Sequence, residues 1–368
     1  MNDTGKFTRR DFVAHAARLY LQIGLFSLLS GCARTEPTHD KIRADAERME
    51  ETAEMSLDFE PAYLKLYRSG ELKERAEELW SIMKSCQLCP RRCRVNRLEG
   101  MRGVCQAPGA TLVISGHHAH FGEERPLVGR GGSGTIFFSH CNLRCVFCQN
   151  WQISHLGRGS EKEIDELAGM MLRLQEKGCH NINVVTPTHY SPHILKALDI
   201  AAGKGLRLPV VYNTSGWERL EILSFLDGIV DIYLPDCKYW DGDMAARYSS
   251  GAESYPEVTR KAILEMHRQV GVAKPTEEGI MQRGLMIRHL VMPNDVGGSE
   301  QLMAWIAKNL PKDTYVNIMA QYTPAHKAYD YPEISRRIND EEYQKVVQKA
   351  KETGLTNLDI QGHGWLER

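Results

Sequence analysis

Between residues 134 and 362, short apolar runs alternate with amphipathic stretches. The runs at 135–138, 182–185, 210–212, 229–234, 286–292, 316–319 and 358–360 are rich in aliphatic and β-branched residues, as buried strands are. Between them, 164–177, 192–204, 219–226, 255–270, 299–309 and 341–353 repeat apolar residues at helical spacing. A strand that is apolar throughout is covered on both faces, so these units predict an α/β fold of parallel strands with right-handed crossovers. Such strands close into a barrel or wind in both directions, and in a barrel the chemistry belongs at their C-terminal ends.

Upstream the pattern changes. Residues 33–85 are charge-rich, with Leu72, Ala76, Leu79, Trp80 and Met83 on one helical face, which predicts one or two helices packing against the next domain. The alternation at 111–115 predicts a strand within a small cysteine-rich subdomain, 86–133, ahead of a core at 134–368. His117, His118 and His120 come next, in an extended segment, and read as surface or interface residues. The glycine-rich stretch 127–134 lacks a phosphate-loop lysine and reads as a flexible lead-in to the first core strand.

The first 32 residues form a separate case. Thr8-Arg9-Arg10-Asp11-Phe12-Val13 matches a twin-arginine export signal, and the apolar stretch from Leu19 to Leu29 is too short to span a bilayer. Leu29-Ser30-Gly31-Cys32 resembles the lipobox of bacterial lipoproteins, which would make Cys32 a lipid anchor and the protein an exported one. If the signal is not used, the protein stays in the cytoplasm.

Composition excludes some functions. Of 368 residues, 42% are hydrophobic and 25% charged, and the net charge is −1. That is a soluble globular composition without the basic footprint of a nucleic-acid binder. Ten cysteines are too few for a disulfide scaffold and too clustered for chance, so most read as metal ligands.

Two clusters carry the chemistry. Cys86, Cys89, Cys93 and Cys105 stand at C-x2-C-x3-C-x11-C, with Pro90, Gly100 and Gly103 supplying turns. Four thiolates suit structural zinc or an iron–sulfur cluster and leave no open position, and disulfides are the alternative. Cys141, Cys145 and Cys148 stand at C-x3-C-x2-C directly after the apolar run 134–138. A [4Fe–4S] cube normally takes four thiolates, so three leave one iron open to a substrate or cosubstrate. A zinc site and unrelated core thiols are the competing readings.

The string Gly134-Thr135-Ile136-Phe137-Phe138 followed by Cys141-Asn142-Leu143-Arg144-Cys145-Val146-Phe147-Cys148-Gln149-Asn150 resembles the radical S-adenosylmethionine enzymes, in the branch related to pyruvate formate-lyase activating enzymes. The resemblance covers roughly residues 86–365 and implies a partial (β/α)6 barrel. It further implies a [4Fe–4S] cluster whose open iron chelates S-adenosylmethionine, cleavage to a 5′-deoxyadenosyl radical, and hydrogen abstraction from a substrate. An electron donor such as flavodoxin or ferredoxin and a partner-protein glycine as target belong to the same implication. By position, Phe147 carries the backbone that recognises adenine, while Thr186 and Thr188 stand where a polar turn contacts the methionyl amino group; the usual Gly-Gly-Glu is absent there. Asn213 and Ser215 come after the third strand, with Trp217 over the mouth. Asp236-x-Lys238 and Arg288-x-x-Val291-x-Pro293 resemble pocket residues of the activases, and Gln321 with His326 faces adenosine or substrate. Modification of another peptide or small molecule, or a non-catalytic metal-stabilised scaffold at the membrane, are the other readings.

Overall fold

A computed structural model describes residues 59–361. The chain divides into two units, residues 1–57 and 58–368. The first, which contains the twin-arginine stretch, the apolar run and Cys32, lies outside the described residues, as do residues 362–368.

The described chain opens with α1 (Tyr63–Ser69) and α2 (Glu71–Ile82), then β1 (Leu112–His120), α3 (Arg125–Val128), β2 (Ser133–Phe138), α4 (Trp151–Ser154), β3 (Ser160–Lys162) and α5 (Ile164–Glu176). It continues through β4 (Ile182–Val185), α6 (Ser191–Gly203), β5 (Val210–Thr214), α7 (Leu220–Leu226), β6 (Ile232–Pro235), α8 (Gly242–Tyr248) and α9 (Tyr255–Val270). The last elements are β7 (Lys274–Pro275), β8 (Met281–Leu290), α10 (Ser299–Asn309), β9 (Tyr315–Met319), α11 (Asp340–Glu352) and β10 (Leu358–Ile360).

The strands form one sheet in the order β10-β9-β8-β6-β5-β4-β2-β1-β3, with β7 paired to β8. From β2 to β10 every neighbour along that order is parallel, while β1 runs antiparallel to both β2 and β3. Strands β5, β6 and β9 are buried at every position, because helices cover one face and the other lines the interior. This arrangement is consistent with a partial (β/α)6 barrel, with β10 as a short extra parallel strand.

Helix ends explain several boundaries. Glu163 and Glu166 form a reciprocal capping box that starts α5, and Asn339 and Glu342 do the same for α11. Helix α6 is buried along most of its length because α2 lies on its outer side, with the Trp80 ring 4.9 Å from that of His193. Leu198 is wholly buried in α6. We expect Leu198→Ala to cost about 2–5 kcal/mol, read as a lowered urea midpoint; a loss under about 1 kcal/mol would mean the site collapses around the truncation.

The structure differs from the sequence expectation at the amino-terminal side of the core. The strand expected at 111–115 runs on to His120 and joins the main sheet, taking His117, His118 and His120 into β1. Strands β1 and β2 form a hairpin whose connection contains the helical turn α3, and the stretch 127–134 runs from the end of that turn into β2. Residues 242–248 form a helix that the apolar pattern did not announce. Its start is fixed locally by Asp241, whose carboxylate accepts from the Asp243 and Met244 amides.

Candidate functional site

One cavity of about 260 Å³ is lined by residues from β2, β4, β5, β8 and β9 and from the segments after β2, β4, β5, β6 and β9. The parallel strands thus curve around a shared interior. Cys141, Cys145, Cys148, Phe147, Thr186, Asn213, Ser215, Asp236, Lys238, Arg288 and Gln321 all line it.

The loop after β2 delivers the three thiols. His140 and Arg144 adopt φ of 71° and 55°, bending the backbone sharply before Cys141 and before Cys145. Each sulfur receives hydrogen bonding: from the Leu143 amide to Cys141 at 3.4 Å, from the Ser249 hydroxyl to Cys145 at 3.2 Å and from the Ser154 hydroxyl to Cys148 at 3.1 Å. Donors on sulfur are a main control of cluster potential. Burial raises the Cys141 thiol and pushes that of Cys145 up to about 12, so metal binding here must displace protons. Phe147 is buried, with ring centroids 6.4 Å from Tyr239 and 5.9 Å from Tyr322. Its neighbour Val146 is held on both sides, donating to the Tyr248 carbonyl at 2.8 Å and accepting from the Lys327 amide at 2.9 Å.

Opposite the thiols lies a buried ion cluster. Asp236 sits one residue beyond β6 and bridges to Arg288 on β8. Its carboxylate takes Lys238 Nζ at 2.7 Å and Arg288 Nε at 2.8 Å, and all three side chains are under 20% exposed. Arg288 also donates to Asn213 Oδ1 at 2.6 Å and lies 3.8 Å from Glu123. Burial alone would raise the Asp236 carboxyl, but Arg288 and Lys238 hold it below the usual range. Burial opposes charge on Lys238 too, yet Asp236 and Cys145 keep its ammonium favoured. Glu123 goes the other way, pushed up to about 7 by burial in spite of Arg288. Two cations therefore share the one carboxylate of Asp236 at hydrogen-bond distance, an arrangement that suits a second, ligand carboxylate.

Two further polar groups meet the cavity without commitments. Ser215 Oγ is buried without a protein partner, an arrangement that a bound ligand relieves. Thr186 follows β4 directly at φ 60°, a strained conformation for a β-branched residue, with its amide tied to the Asn213 carbonyl at 2.9 Å. The Gln321 carbonyl accepts from the Gln149 side chain at 3.0 Å, joining the β9 end to the cysteine loop. Three free thiols, buried cations and an unpartnered hydroxyl around one cavity fit a three-thiolate cluster with a zwitterionic cosubstrate.

Thr188, Trp217 and His326 are exceptions. Thr188 is buried away from the cavity and donates to Glu218 Oε1 at 2.5 Å, so its hydroxyl is already used. Trp217 is not over the mouth; it is buried with the Arg91 guanidinium 4.7 Å from its ring. His326 stacks on Trp151 at 5.2 Å outside the cavity lining.

Glu218 escaped the sequence reading, since one carboxylate after a strand-end loop carries no distinctive spacing. It is fully buried, bonded by Thr188 and Thr214, and pushed up to about 7 by burial. A carboxyl with a raised folded pKa contributes most stability below its unfolded pKa near 4.5 and loses it as pH rises toward 7. Wild type should therefore lose on the order of 1–3 kcal/mol across that window, and Glu218→Gln should flatten the slope in urea titrations at each pH. An unchanged slope would show that Glu218 does not titrate there.

Residues 135–268 match the family model described as the radical SAM superfamily. An uncharacterized protein of Methanocaldococcus jannaschii is 33% identical over 310 residues, covering 81% of this chain and 82% of that protein. Among solved structures, a radical SAM methyltransferase from Sphaerobacter thermophilus aligns with a TM-score of 0.40 and 18% identity, over 62% of this chain and 65% of that one. The superfamily's model spans the strands and loops that place the three cysteines and Asp236-x-Lys238, so this chain carries a radical SAM superfamily domain over residues 135–268.

Proposed function

We propose that the protein cleaves S-adenosylmethionine reductively at a [4Fe–4S] cluster on Cys141, Cys145 and Cys148, and that hydrogen abstraction from a substrate comes next. When bound, the cluster supplies the electron that splits the sulfonium into methionine and a 5′-deoxyadenosyl radical. The observation that carries this reading is the meeting of three free thiols and the Asp236–Lys238–Arg288 cluster around one cavity.

The chain's own residues divide the remaining work. Lys238 and Arg288 hold the methionyl carboxylate, with Asp236 fixing both cations in place. Ser215 and Thr186 offer hydroxyls to the amino and ribose groups, and the Phe147 segment presents backbone to adenine. Phe147, Tyr239 and Tyr322 keep water from the reacting carbon.

The target is proposed on resemblance. Asp236-x-Lys238 and Arg288-x-x-Val291-x-Pro293 favour a glycine in a partner protein, with flavodoxin or ferredoxin as electron donor. The Leu29–Cys32 tetrapeptide favours export with a lipid anchor at Cys32.

The test is anaerobic reconstitution with iron and sulfide, with S-adenosylmethionine and dithionite then added. Methionine and 5′-deoxyadenosine should appear in equal amounts, and deuterium from a labelled substrate should enter the 5′-deoxyadenosine. A cluster-loaded protein that forms neither product would point to the non-catalytic scaffold.

A further inference from the structure

We propose that Cys86, Cys89, Cys93 and Cys105 hold a second iron–sulfur cluster that passes electrons to the radical site through Arg91. This rests on the function proposed above, which supplies the electron acceptor.

The four cysteines are free thiols, three of them buried and Cys93 partly exposed. Backbone hydrogen bonds draw the first three together, with the Arg92 amide donating to the Cys89 carbonyl at 3.0 Å and the Arg94 amide to the Cys86 carbonyl at 2.9 Å. Their loops are shaped for a cluster. Arg92 and Arg94 flank Cys93 at φ of 42° and 57°, turning the backbone on either side of it. The Val104 amide donates to Cys93 Sγ at 3.4 Å, and a Cβ on Gly103 would stand 2.8 Å from that sulfur, so the second loop closes on the first only with glycine there.

Four thiolates suit zinc and an iron–sulfur cluster alike, and a direct hydrogen-bonded link from this motif to the radical-site loop favours the cluster. Burying an anionic cluster calls for nearby cations. Arg97 is buried, its charge acts on Cys105, and its Nε has no partner.

Arg91 is the link. It lies two residues after Cys89 and two before Cys93, and donates from Nε to the Asn142 carbonyl at 3.0 Å and from Nη2 to the Ser249 carbonyl at 3.1 Å. Asn142 adjoins Cys141, and the Ser249 hydroxyl donates to Cys145 Sγ. From Cys89 to Cys141 the path is thus Pro90, Arg91, one hydrogen bond and Asn142. In each transfer a low-potential one-electron protein donor reduces the outer cluster, which is reoxidised as it reduces the radical cluster by one electron. The partly exposed Cys93 edge receives the electron.

Metal analysis after anaerobic reconstitution tests the site. Wild type should hold about eight iron atoms per chain, and Cys145→Ala about four with an electron paramagnetic resonance signal indifferent to S-adenosylmethionine. Wild type with one zinc and about four iron atoms would overturn the proposal, whereas failure of dithionite-driven cleavage would instead count against the function proposed above. For the relay, the rate of 5′-deoxyadenosine formation with reduced flavodoxin is divided by the rate with dithionite. Cys93→Ala should lower that ratio at least tenfold, and an unchanged ratio would overturn the relay. Should Cys93→Ala not fold, Arg91→Gln keeps every thiol and is read in the same way.

Discussion

Cys145→Ala should lower 5′-deoxyadenosine formation by at least about a thousandfold, equivalent to about 4 kcal/mol of lost transition-state stabilisation. The size of the effect comes from the ligand count. With four thiolates a cube tolerates little, and with three it has no spare ligand, so the loss of one leaves two of its irons open. The variant also strands the Ser249 hydroxyl, which donates to Cys145 Sγ and in turn contacts Tyr239 at 2.9 Å, but a serine there can turn to the tyrosine. The fold should survive, because the side chain lost is small and sits at the cavity wall. Cleavage assays by mass spectrometry and circular dichroism on the same sample read both halves. Activity within tenfold of wild type would mean that Cys145 is not a ligand.

Asp236→Ala is expected to have the largest effect on stability. It removes the carboxylate that Lys238 and Arg288 share, whose oxygens lie 2.7 and 2.8 Å from their charged atoms. Breaking a buried pair by deleting one partner costs about 3–5 kcal/mol, because the remaining charges stay buried and uncompensated. Here two cations are left, and the neighbouring carboxyls compensate incompletely: Glu123, pushed up to about 7 by burial, is only about half ionised at pH 7, and Glu124 acts on Arg288 alone of the two cations. A fall in Tm of about 4–8 °C is expected for a chain of this length. The sign with pH is fixed by the lowered Asp236 pKa. Its contribution is present above the unfolded value of 3.8 and is lost as pH falls below it, so wild type and Asp236→Asn should converge in stability at low pH. A constant gap from pH 7 to pH 3 would assign the effect to packing instead. The affinity for S-adenosylmethionine should fall as well, since Asp236 orients both cations that face the carboxylate.

Much of the fold was legible in the chain alone. Apolar runs such as 182–185 and 316–319 emerge as parallel strands because burial on both faces leaves no room for polar alternation. Spacing brought Cys141, Cys145 and Cys148 together because so short a segment cannot spread them far. Asp236 and Lys238 were paired by period-two geometry, although the strand ends at Pro235 and the pair sits just past it.

What escaped depends on contacts between distant segments. Thr188 looked equivalent to Thr186, but the helical turn at 188–190 carries it inward onto Glu218, thirty residues away. Arg91 stood inside a cysteine motif without a role, and its contacts to Asn142 and Ser249 span more than fifty residues. The antiparallel strand β1 was read as part of a separate subdomain because its own alternation says nothing of its partner, and it pairs with β2 in the main sheet. Glu123 lies just after a histidine-rich stretch that suggested surface, yet it reaches Arg288 in the interior.

The central claim is an open iron on a three-thiolate cube, gripping S-adenosylmethionine by its amino and carboxylate groups. Electron paramagnetic resonance of the dithionite-reduced, reconstituted protein, recorded with and without S-adenosylmethionine, tests it most directly. The reduced-cluster signal that depends on Cys141, Cys145 and Cys148 should change shape when S-adenosylmethionine is added. A signal from that site identical in both spectra at saturating S-adenosylmethionine would contradict the account.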